Sequence, residues 1–224
     1  MVFAKRPEPG AVKTRMCPPL RPEQAADLYA AMLEDVLATT AAAAAAAGAA
    51  TWLQVHPPDA VAELAARCPA GFSGQAQRGN DLGARMANAV ATAAAAGFER
   101  ILLRGSDSPA LSAADLARGL AALDDADLAV SPDRDGGYGW IAVRRPVPNL
   151  FDHPMSTASV LSDTLARAAA HGLRVRQLPP HFDIDTAADL ALLAAARQRG
   201  ETRECPRTIA LLDALDLWHH AGPS

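Results

Sequence analysis

The sequence predicts an α/β domain in which a mainly parallel, mixed central sheet carries helices on both faces. Short runs of β-branched residues or leucine alternate along the chain with helical stretches of roughly 10 to 20 residues, as in βαβ units. In addition, 53 of the 224 residues are alanine, which favours helices that pack closely on a sheet. No linker or break in composition divides the chain, so we expect one domain over residues 1–224.

The short apolar runs predict six strands. They cover residues 2–4, 51–55, 100–103, 127–130, 139–143 and 175–178. Between the second and third of these strands, glycines at positions 71, 74, 79 and 83 predict a loop, because glycine punctuates regular structure.

Helices are predicted from start and stop signals between the strands. Pro22 opens the first helix and Gly48 ends it. Ser112 caps a helix that follows the strand 100–103, because a serine side chain can accept a hydrogen bond from the first turn. The other predicted helices cover residues 59–67, 81–96, 160–171, 186–200 and 207–218.

Composition excludes several classes of protein. A net charge of −4 and an aromatic content of 4% do not suit a single-stranded nucleic-acid surface, which combines basic grooves with aromatic residues. The three cysteines lie far apart without metal-ligand spacing, and we expect no metal site at His219–His220. No apolar secretory segment precedes the charge at position 5, and the apolar run 41–50 is too short to span a bilayer. We therefore expect a cytoplasmic protein without membrane or nucleic-acid partners.

Charge is distributed unevenly along the chain. Residues 1–21 carry a local balance of +4, and residues 105–139 carry a balance of −5. A basic loop beside an acidic cluster is what a site for phosphates and a divalent metal requires. The alternative is that both segments are ordinary solvated surfaces.

Two loops that follow predicted strands carry candidate phosphate and metal groups, since ligands of open α/β sheets bind beyond the carboxyl ends of the strands. After the first strand, Gly10 allows a tight bend, and Lys13 and Arg15 place two cations beside phosphate oxygens, although no Walker motif is present. In the segment GSDSPAL, Ser112 already supplies the helix cap, so Asp107 is available as a metal ligand. Helix entry remains the alternative role for Asp107.

Two later loops add further candidates. In SPDRDGGYGW, Gly136 and Gly137 permit a hairpin turn and close backbone approach to a ligand, and Asp135 supplies a carboxylate. In HFDIDTAADL, Asp183 and Asp185 project to the same side of an extended segment. Opposite Asp107, they suit Mg²⁺ or Mn²⁺, while capping of the next helix is the competing role.

Six segments in this order resemble a bacterial family of GT-A-fold glycosyltransferases. Members of that family are often encoded near radical-SAM or selenodomain proteins, and some are named arsenosugar biosynthesis glycosyltransferases. More distantly, the chain is similar to molybdenum-cofactor and phospholactate guanylyltransferases, which share the nucleotide-diphospho-sugar transferase fold. The matching segments are FAKRPEPGAVKTRM, GNDLGARM, GSDSPAL, SPDRDGGYGWIAV, STASVLSDTL and DIDTAADL.

The resemblance implies roles for individual residues. Arg85 corresponds to a cation of the family's pattern, with a solvated helix charge as the alternative, and Met155 replaces the family's usual tryptophan before Ser156 and Thr157. The implied nucleotide-phosphate residues are Gly10, Lys13, Arg15 and Arg85, the implied metal ligands are Asp107 and Asp185 with Asp183 as an alternative, and the implied acceptor side comprises Asp135, Gly136, Gly137, Tyr138, Ser156 and Thr157.

The resulting expectation is a metal-dependent glycosyltransferase that uses Mg²⁺ or Mn²⁺ to transfer a sugar from a nucleotide-diphosphate donor to a small-molecule acceptor. Asp135 is the expected general base, with His153 as its rival. A nucleotidyltransferase that releases pyrophosphate from a nucleoside triphosphate is the first alternative. A non-catalytic nucleotide-binding protein is the second.

Overall fold

The computed structural model describes residues 1–218, so the His219–His220 pair lies outside the described residues. Within residues 1–218 there are seven strands and seven α-helices, numbered in chain order. The strands are β1 (Val2–Lys5), β2 (Thr51–His56), β3 (Phe72–Ala76), β4 (Ile101–Arg104), β5 (Leu128–Pro132), β6 (Tyr138–Val143) and β7 (Val175–Gln177). The helices are α1 (Pro22–Ala47), α2 (Val61–Ala65), α3 (Leu82–Ala95), α4 (Ala113–Ala121), α5 (Val160–Ala170), α6 (Leu190–Gln198) and α7 (Pro206–Ala214).

All seven strands form one sheet in the order β3-β2-β1-β4-β6-β5-β7. Strand β6 runs antiparallel to both of its neighbours, and every other pair is parallel. The predicted fold class, a mainly parallel mixed sheet with flanking helices, is confirmed. The parallel strands direct their carboxyl ends to one edge of the sheet, where the loops with candidate functional residues begin.

Side chains of β4 show how the helices cover both faces. Leu102 packs with Leu116 of α4 on one face. Ile101 and Leu103 point to the opposite face, where they pack with Met86 of α3 and other buried residues. Alternation along the strand therefore divides the core into two layers.

Helix α1 confirms the boundaries expected from its terminal residues. It begins at Pro22, and Gly48 ends it in the left-handed conformation with a φ of 60°. By length and composition alone, the whole of α1 could cross a membrane. The prediction from the sequence considered only the shorter apolar run 41–50. Half of the most apolar window of α1 is nevertheless buried in the fold, and core helices commonly pass the same test.

Strand β3 corrects the prediction of a loop between β2 and α3. It pairs in parallel with β2, with Gly74 opposite Leu53. A Cβ atom on Gly74 would lie 2.8 Å from the Cβ of Ala65, so glycine at this position allows α2 to pack against the strand. The glycine that suggested a loop therefore serves close packing at the edge of the sheet.

Candidate functional site

The loops after β1, β4 and β7 meet at one edge of the sheet. They enclose a cleft of about 450 Å³, which we call the first cleft. The first cleft brings together six of the residues predicted from the sequence: Lys13, Arg15, Arg85, Asp107, Ser156 and Asp185. Residues far apart in the chain thus converge because their strands end at the same edge.

Lys13 is the centre of this arrangement. Its backbone is left-handed, with a φ of 48°, an uncommon conformation for a residue with a side chain. Its ammonium group is almost fully buried and donates hydrogen bonds to a carboxylate oxygen of Asp107 and, at 2.7 Å, to Oδ1 of Asp185. Burial alone would lower the pKa of Lys13, but Asp107 and Asp185 outweigh this and raise the pKa above its usual value. Two carboxylates therefore converge on one permanently charged cation.

Neither Asp107 nor Asp185 is used as a helix cap. Ser112 caps α4 in a reciprocal pair of hydrogen bonds with Asp115, as predicted. Thr186 does the same with Asp189 at the start of the following helical turn. A backbone hydrogen bond of 2.9 Å from Ile184 N–H to the carbonyl of Asp107 holds the two loops together. Both carboxylates are thus left to face the first cleft.

Asp183 has different neighbours from Asp185, although the two were expected to project to the same side. Asp183 accepts a hydrogen bond from the Ser108 hydroxyl and lies beside Asp133. Burial, followed by the charges of Asp133 and Asp107, raises the pKa of Asp183 well above its usual range. Asp185, and not Asp183, is the carboxylate that faces Asp107 across Lys13.

The other predicted phosphate-binding residues differ in position. Arg15 is 71% exposed at the mouth of the first cleft, and its Nη1 lies 3.9 Å from Oδ2 of Asp185. Arg85 lines the cleft, and its Nε donates to the carbonyl of Gly79 at 3.1 Å. Gly10 has a φ of 77° in the exposed turn that precedes Lys13. Gly10 therefore shapes the loop, whereas the two arginines reach the cleft.

The turn between β5 and β6 holds the predicted acceptor residues Asp135, Gly136 and Gly137, and the fourth, Tyr138, is the first residue of β6. The Asp135 carboxylate is exposed and accepts a hydrogen bond of 2.8 Å from the Gly137 N–H. A Cβ on Gly136 would lie 2.0 Å from the carbonyl oxygen of Ala158, so the turn packs directly on the start of α5. The Tyr138 ring packs in the core between the sheet and helices α3 and α5. Burial raises the pKa of Tyr138, and none of these four residues lines the first cleft.

The segment before α5 contributes one residue to the first cleft. Ser156 lines it, whereas Thr157 is exposed and bonds locally, with its hydroxyl 3.0 Å from that of Ser159. His153, the rival base, lies in the same segment, and its Nε2 is 3.0 Å from Oγ1 of Thr164. Both Ser156 and Thr157 were predicted for the acceptor side, and of these two residues Ser156 lines the first cleft whereas Thr157 does not.

Two buried residues that support the first cleft were missed by sequence reasoning. The hydroxyl of Tyr29 accepts a hydrogen bond from Lys5 N–H at 2.8 Å and lies 2.8 Å from the Ser106 hydroxyl. Burial, with a contribution from Asp107, raises the pKa of Tyr29 to about 12. The side-chain amide of Gln77 donates to carbonyls of β1 and β2 at 3.1 and 2.9 Å. Neither role could be predicted from the sequence, because Tyr29 reads as an ordinary residue of a helix and Gln77 as a residue of a glycine-rich loop.

The chemistry of the donor set fits a divalent metal with few protein ligands. Within residues 1–218, no group of three or more His, Cys, Asp or Glu side chains is arranged to hold a metal ion. Mg²⁺, however, is commonly held by one or two carboxylates together with substrate phosphates. Asp107 and Asp185 already converge on a cation, the ammonium of Lys13, so these two residues are the ones that would hold a divalent metal at this position.

Comparison with known proteins places the chain in a family. Residues 39–157 match a family described as an uncharacterized protein conserved in bacteria (DUF2064). The chain belongs to this family. The part that matches DUF2064 includes Asp107 and Arg85, whereas Lys13 and Asp185 lie outside it. A comparison with curated proteins found no match.

Solved structures support the same fold for this DUF2064 protein. A crystal structure of a proposed nucleotide-diphospho-sugar transferase from Desulfovibrio desulfuricans G20 is 33% identical, with a TM-score of 0.87 over 98% of this chain and 96% of the other. A cytidylyltransferase from Leptospira borgpetersenii serovar Hardjo-bovis is 13% identical, with a TM-score of 0.54 over 100% and 96% of the two chains. A CMP:2-keto-3-deoxy-manno-octonic acid synthetase complexed with CTP is 16% identical, with a TM-score of 0.54 over 89% and 97%. The last two likenesses establish the fold alone.

Proposed function

We propose that this protein is a metal-dependent glycosyltransferase that moves a sugar from a nucleotide-diphosphate donor to a small-molecule acceptor. The observation that carries the proposal is the buried Lys13 ammonium between Asp107 and Asp185 in a cleft at the carboxyl ends of the strands. The 33% identity to a proposed nucleotide-diphospho-sugar transferase supports it. So does the resemblance to the radical-SAM- and selenodomain-associated glycosyltransferases.

The residues of the first cleft suit a diphosphate leaving group. Negative charge builds on the diphosphate as the glycosidic bond breaks, and preorganised cations stabilise that charge. Lys13 and Arg15 can each contact phosphate oxygens, and Arg85 adds a third cation to the lining of the cleft. Mg²⁺ or Mn²⁺, held by Asp107 and Asp185, would supply Lewis-acid stabilisation of the same oxygens.

The transfer step joins an acceptor hydroxyl to the anomeric carbon of the donor sugar. A bond forms between the acceptor oxygen and that carbon, and the bond from the carbon to the diphosphate oxygen breaks with its electron pair. The hydroxyl proton passes to a general base. Asp135 was expected to be this base, but its side chain lies outside the first cleft, whereas His153 is in the segment that contributes Ser156. We therefore assign His153 as the base to test beside Asp135.

Nucleotidyl transfer is the alternative function. It is favoured by the number of cations that line the first cleft, because a nucleoside triphosphate presents three phosphates. In this reaction an acceptor oxygen attacks the α-phosphorus, and pyrophosphate leaves with the electron pair. The lining cations are Lys5, Lys13, Arg15 and Arg85. A non-catalytic nucleotide-binding role is the second alternative, and it predicts binding without turnover.

The assay separates these three functions by their products. The protein is incubated with Mn²⁺ and either a panel of nucleotide sugars or a panel of nucleoside triphosphates. Release of nucleoside diphosphate supports glycosyl transfer, release of pyrophosphate supports nucleotidyl transfer, and binding without either product supports the non-catalytic role. Asp107→Asn should abolish metal-dependent turnover, whereas Asp125→Asn, an exposed carboxylate away from the cleft, should not. Unchanged metal-dependent binding and turnover in Asp107→Asn would show that the site is wrongly assigned.

The proposed place of action is the cytoplasm. Cys17, Cys68 and Cys205 are all unpaired in the structure, which suits a reducing compartment. A nucleotide-sugar donor would also be available there. Fractionation of cells that express the tagged protein tests this assignment.

A further inference from the structure

A second cleft of about 670 Å³ opens beside the first. One wall is the start of α3, and the other is the segment 149–156. Leu82 and Ser156 line both clefts, so a molecule in the second cleft can reach a ligand in the first. Leu82 is also one of only two large hydrophobic side chains exposed within residues 1–218. Leu82 therefore contributes apolar surface at the junction of the two clefts.

The second cleft is preformed by close packing of its walls. A Cβ on Gly83 would lie 2.1 Å from the carbonyl oxygen of Phe151, so the two walls touch through their backbones. Phe151 itself is 4% exposed and anchors the segment in the core. The segment is held to α5 by a hydrogen bond of 3.1 Å from Arg167 to the carbonyl of Asn149 and by the contact between His153 and Thr164.

The length of the connection between β6 and α5 also points to a role beyond linkage. Residues 144–159 form neither strand nor helix. Loops of this length inside a compact domain are uncommon and are usually functional. Here the connection supplies one entire wall of the second cleft.

The two clefts differ in charge. The first is lined by four cations and two carboxylates, Lys5, Lys13, Arg15, Arg85, Asp107 and Asp185. Among the described residues that line the second cleft, the charged side chains are Asp81 and Asp152, and none is lysine or arginine. A phosphate or carboxylate group would meet two carboxylates there and no lysine or arginine side chain. The apolar side chains of Leu82 and Met155 can contact a ring or an aliphatic chain.

From this geometry we infer that the second cleft holds the acceptor, and that the acceptor is an uncharged or positively charged small molecule with a hydroxyl group. The inference rests on the proposed function and adds the chemical class of the acceptor. It also disfavours a phosphorylated acceptor. His153 lies in the lining of the same cleft, within the wall that meets the first cleft at Ser156.

The test uses three hexose probes that differ in charge. Isotope-labelled full-length protein is titrated with methyl glucoside, glucosamine or glucose 6-phosphate, and backbone amide signals are followed by NMR. Methyl glucoside or glucosamine should shift the signals of Ala84, Ala87 and Asp152, while glucose 6-phosphate should shift only signals of the first cleft. The inference is overturned if glucose 6-phosphate shifts the signals of the second cleft, or if none of the three probes does.

Variants locate the binding and separate it from the proposed function. Ala87→Trp fills the second cleft and should weaken binding of the uncharged or cationic probe about tenfold or more, or roughly 1.4 kcal/mol. Ala91→Trp places the same ring one turn further along the exposed side of α3, outside the cleft, and should leave that binding unchanged. Equal losses in both variants would contradict the assignment.

A separate measurement keeps the two hypotheses distinguishable. Binding of UDP or GDP with Mn²⁺ is followed through the signals of Arg15 and Arg85 in the first cleft. If the nucleotides fail to bind while a hexose occupies the second cleft, the proposed function fails and the inferred ligand class stands. If the nucleotides bind and only the anionic hexose enters the second cleft, the proposed function stands and the inference fails.

Discussion

Replacement of Lys13 by glutamine should have opposite effects on Mn²⁺ binding in the absence and presence of a nucleotide. Without nucleotide, the Lys13 ammonium occupies the position between Asp107 and Asp185 that the metal requires. Removal of this competing cation should therefore tighten Mn²⁺ binding. With nucleotide bound, Lys13 is expected to contact phosphate, so its loss should weaken the joint binding of metal and nucleotide.

The size of the first effect follows from the exposure of the partners. Two unit charges about 4 Å apart attract by roughly 4 kcal/mol at an effective dielectric of 20. The Asp107 and Asp185 side chains are 37% and 39% exposed, so solvent screens both pairs. Screening reduces the attraction to about 1 kcal/mol for each pair, so the loss of both pairs frees about 2 kcal/mol for metal binding. Mn²⁺ should then bind Lys13→Gln roughly thirtyfold more tightly than the wild type.

The assay is a titration of free Mn²⁺ by electron paramagnetic resonance, with and without saturating UDP or GDP. Arg15→Gln is the matched control, because Arg15 is 71% exposed and lies 3.9 Å from Asp185. That variant should change the Mn²⁺ affinity without nucleotide less than about threefold, as expected for an exposed ion pair. Mn²⁺ binding to Lys13→Gln that is no tighter than to the wild type would refute the competition between lysine and metal.

Three further changes test the supports of the site. Gly136→Ala should destabilise the fold by about 3 kcal/mol, because its Cβ would lie 2.0 Å from the Ala158 carbonyl oxygen and its φ is 90°; urea unfolding measures the loss. Tyr29→Phe should cost about 1–2 kcal/mol and weaken nucleotide binding, because the Lys5 N–H and the buried Ser106 hydroxyl, both beside the first cleft, each lose a partner; thermal shift with and without nucleotide reports both. Burial alone raises the pKa of Asp115, but hydrogen bonds from His181 and Ser112 outweigh burial and lower the pKa below its usual value. The ionised carboxylate therefore stabilises the fold fully above pH 3.8, and this contribution is lost as the pH falls below that value. Asp115→Asn should thus be about 1 kcal/mol less stable than wild type at pH 7, with a difference that shrinks below pH 4.

Controls and contrary outcomes for these three changes are specific. Gly97→Ala also has a positive φ, but its Cβ would meet nothing within 4 Å, so equal losses at Gly97 and Gly136 would rule out the contact with Ala158. Unchanged nucleotide binding in Tyr29→Phe would confine Tyr29 to a structural role. A stability difference for Asp115→Asn that stays constant from pH 7 to pH 3 would contradict a lowered pKa for Asp115.

Much of the first cleft could be predicted because its residues follow strands directly. Lys13, Asp107 and Asp185 are separated by 94 and 172 positions in the chain, and the parallel topology alone brings them together. Ser112 also identified Asp107 as free, because one helix start needs only one cap. Such residues can be predicted from the sequence because each loop begins at the same edge of the sheet, whatever path it then takes.

Other features depend on contacts that leave no local signal. Gly74 suggests a loop in the sequence, yet it lies in β3. A glycine stands there because α2 packs too closely against the strand to leave room for a side chain. Tyr138 belongs to a glycine-rich stretch of the sequence, but its half-buried ring packs against the core between the sheet and the helices. One wall of the second cleft is formed by residues 149–156, which have no periodic pattern that would predict their path. Tertiary packing decides all three cases.

The central position of β1 has a consequence for synthesis of the chain on the ribosome. The strands β1, β2 and β3 and the helices α1 and α2 are complete by residue 76, so three of the seven strands can pair early. Lys13 belongs to this early segment, but its partners Asp107 and Asp185 are translated much later. A nascent chain therefore cannot assemble the cation site until Asp185 has been made. Any metal or nucleotide that requires both carboxylates would bind only chains that extend beyond Asp185, so such a ligand would stabilise the folded domain and not its earlier folding intermediates.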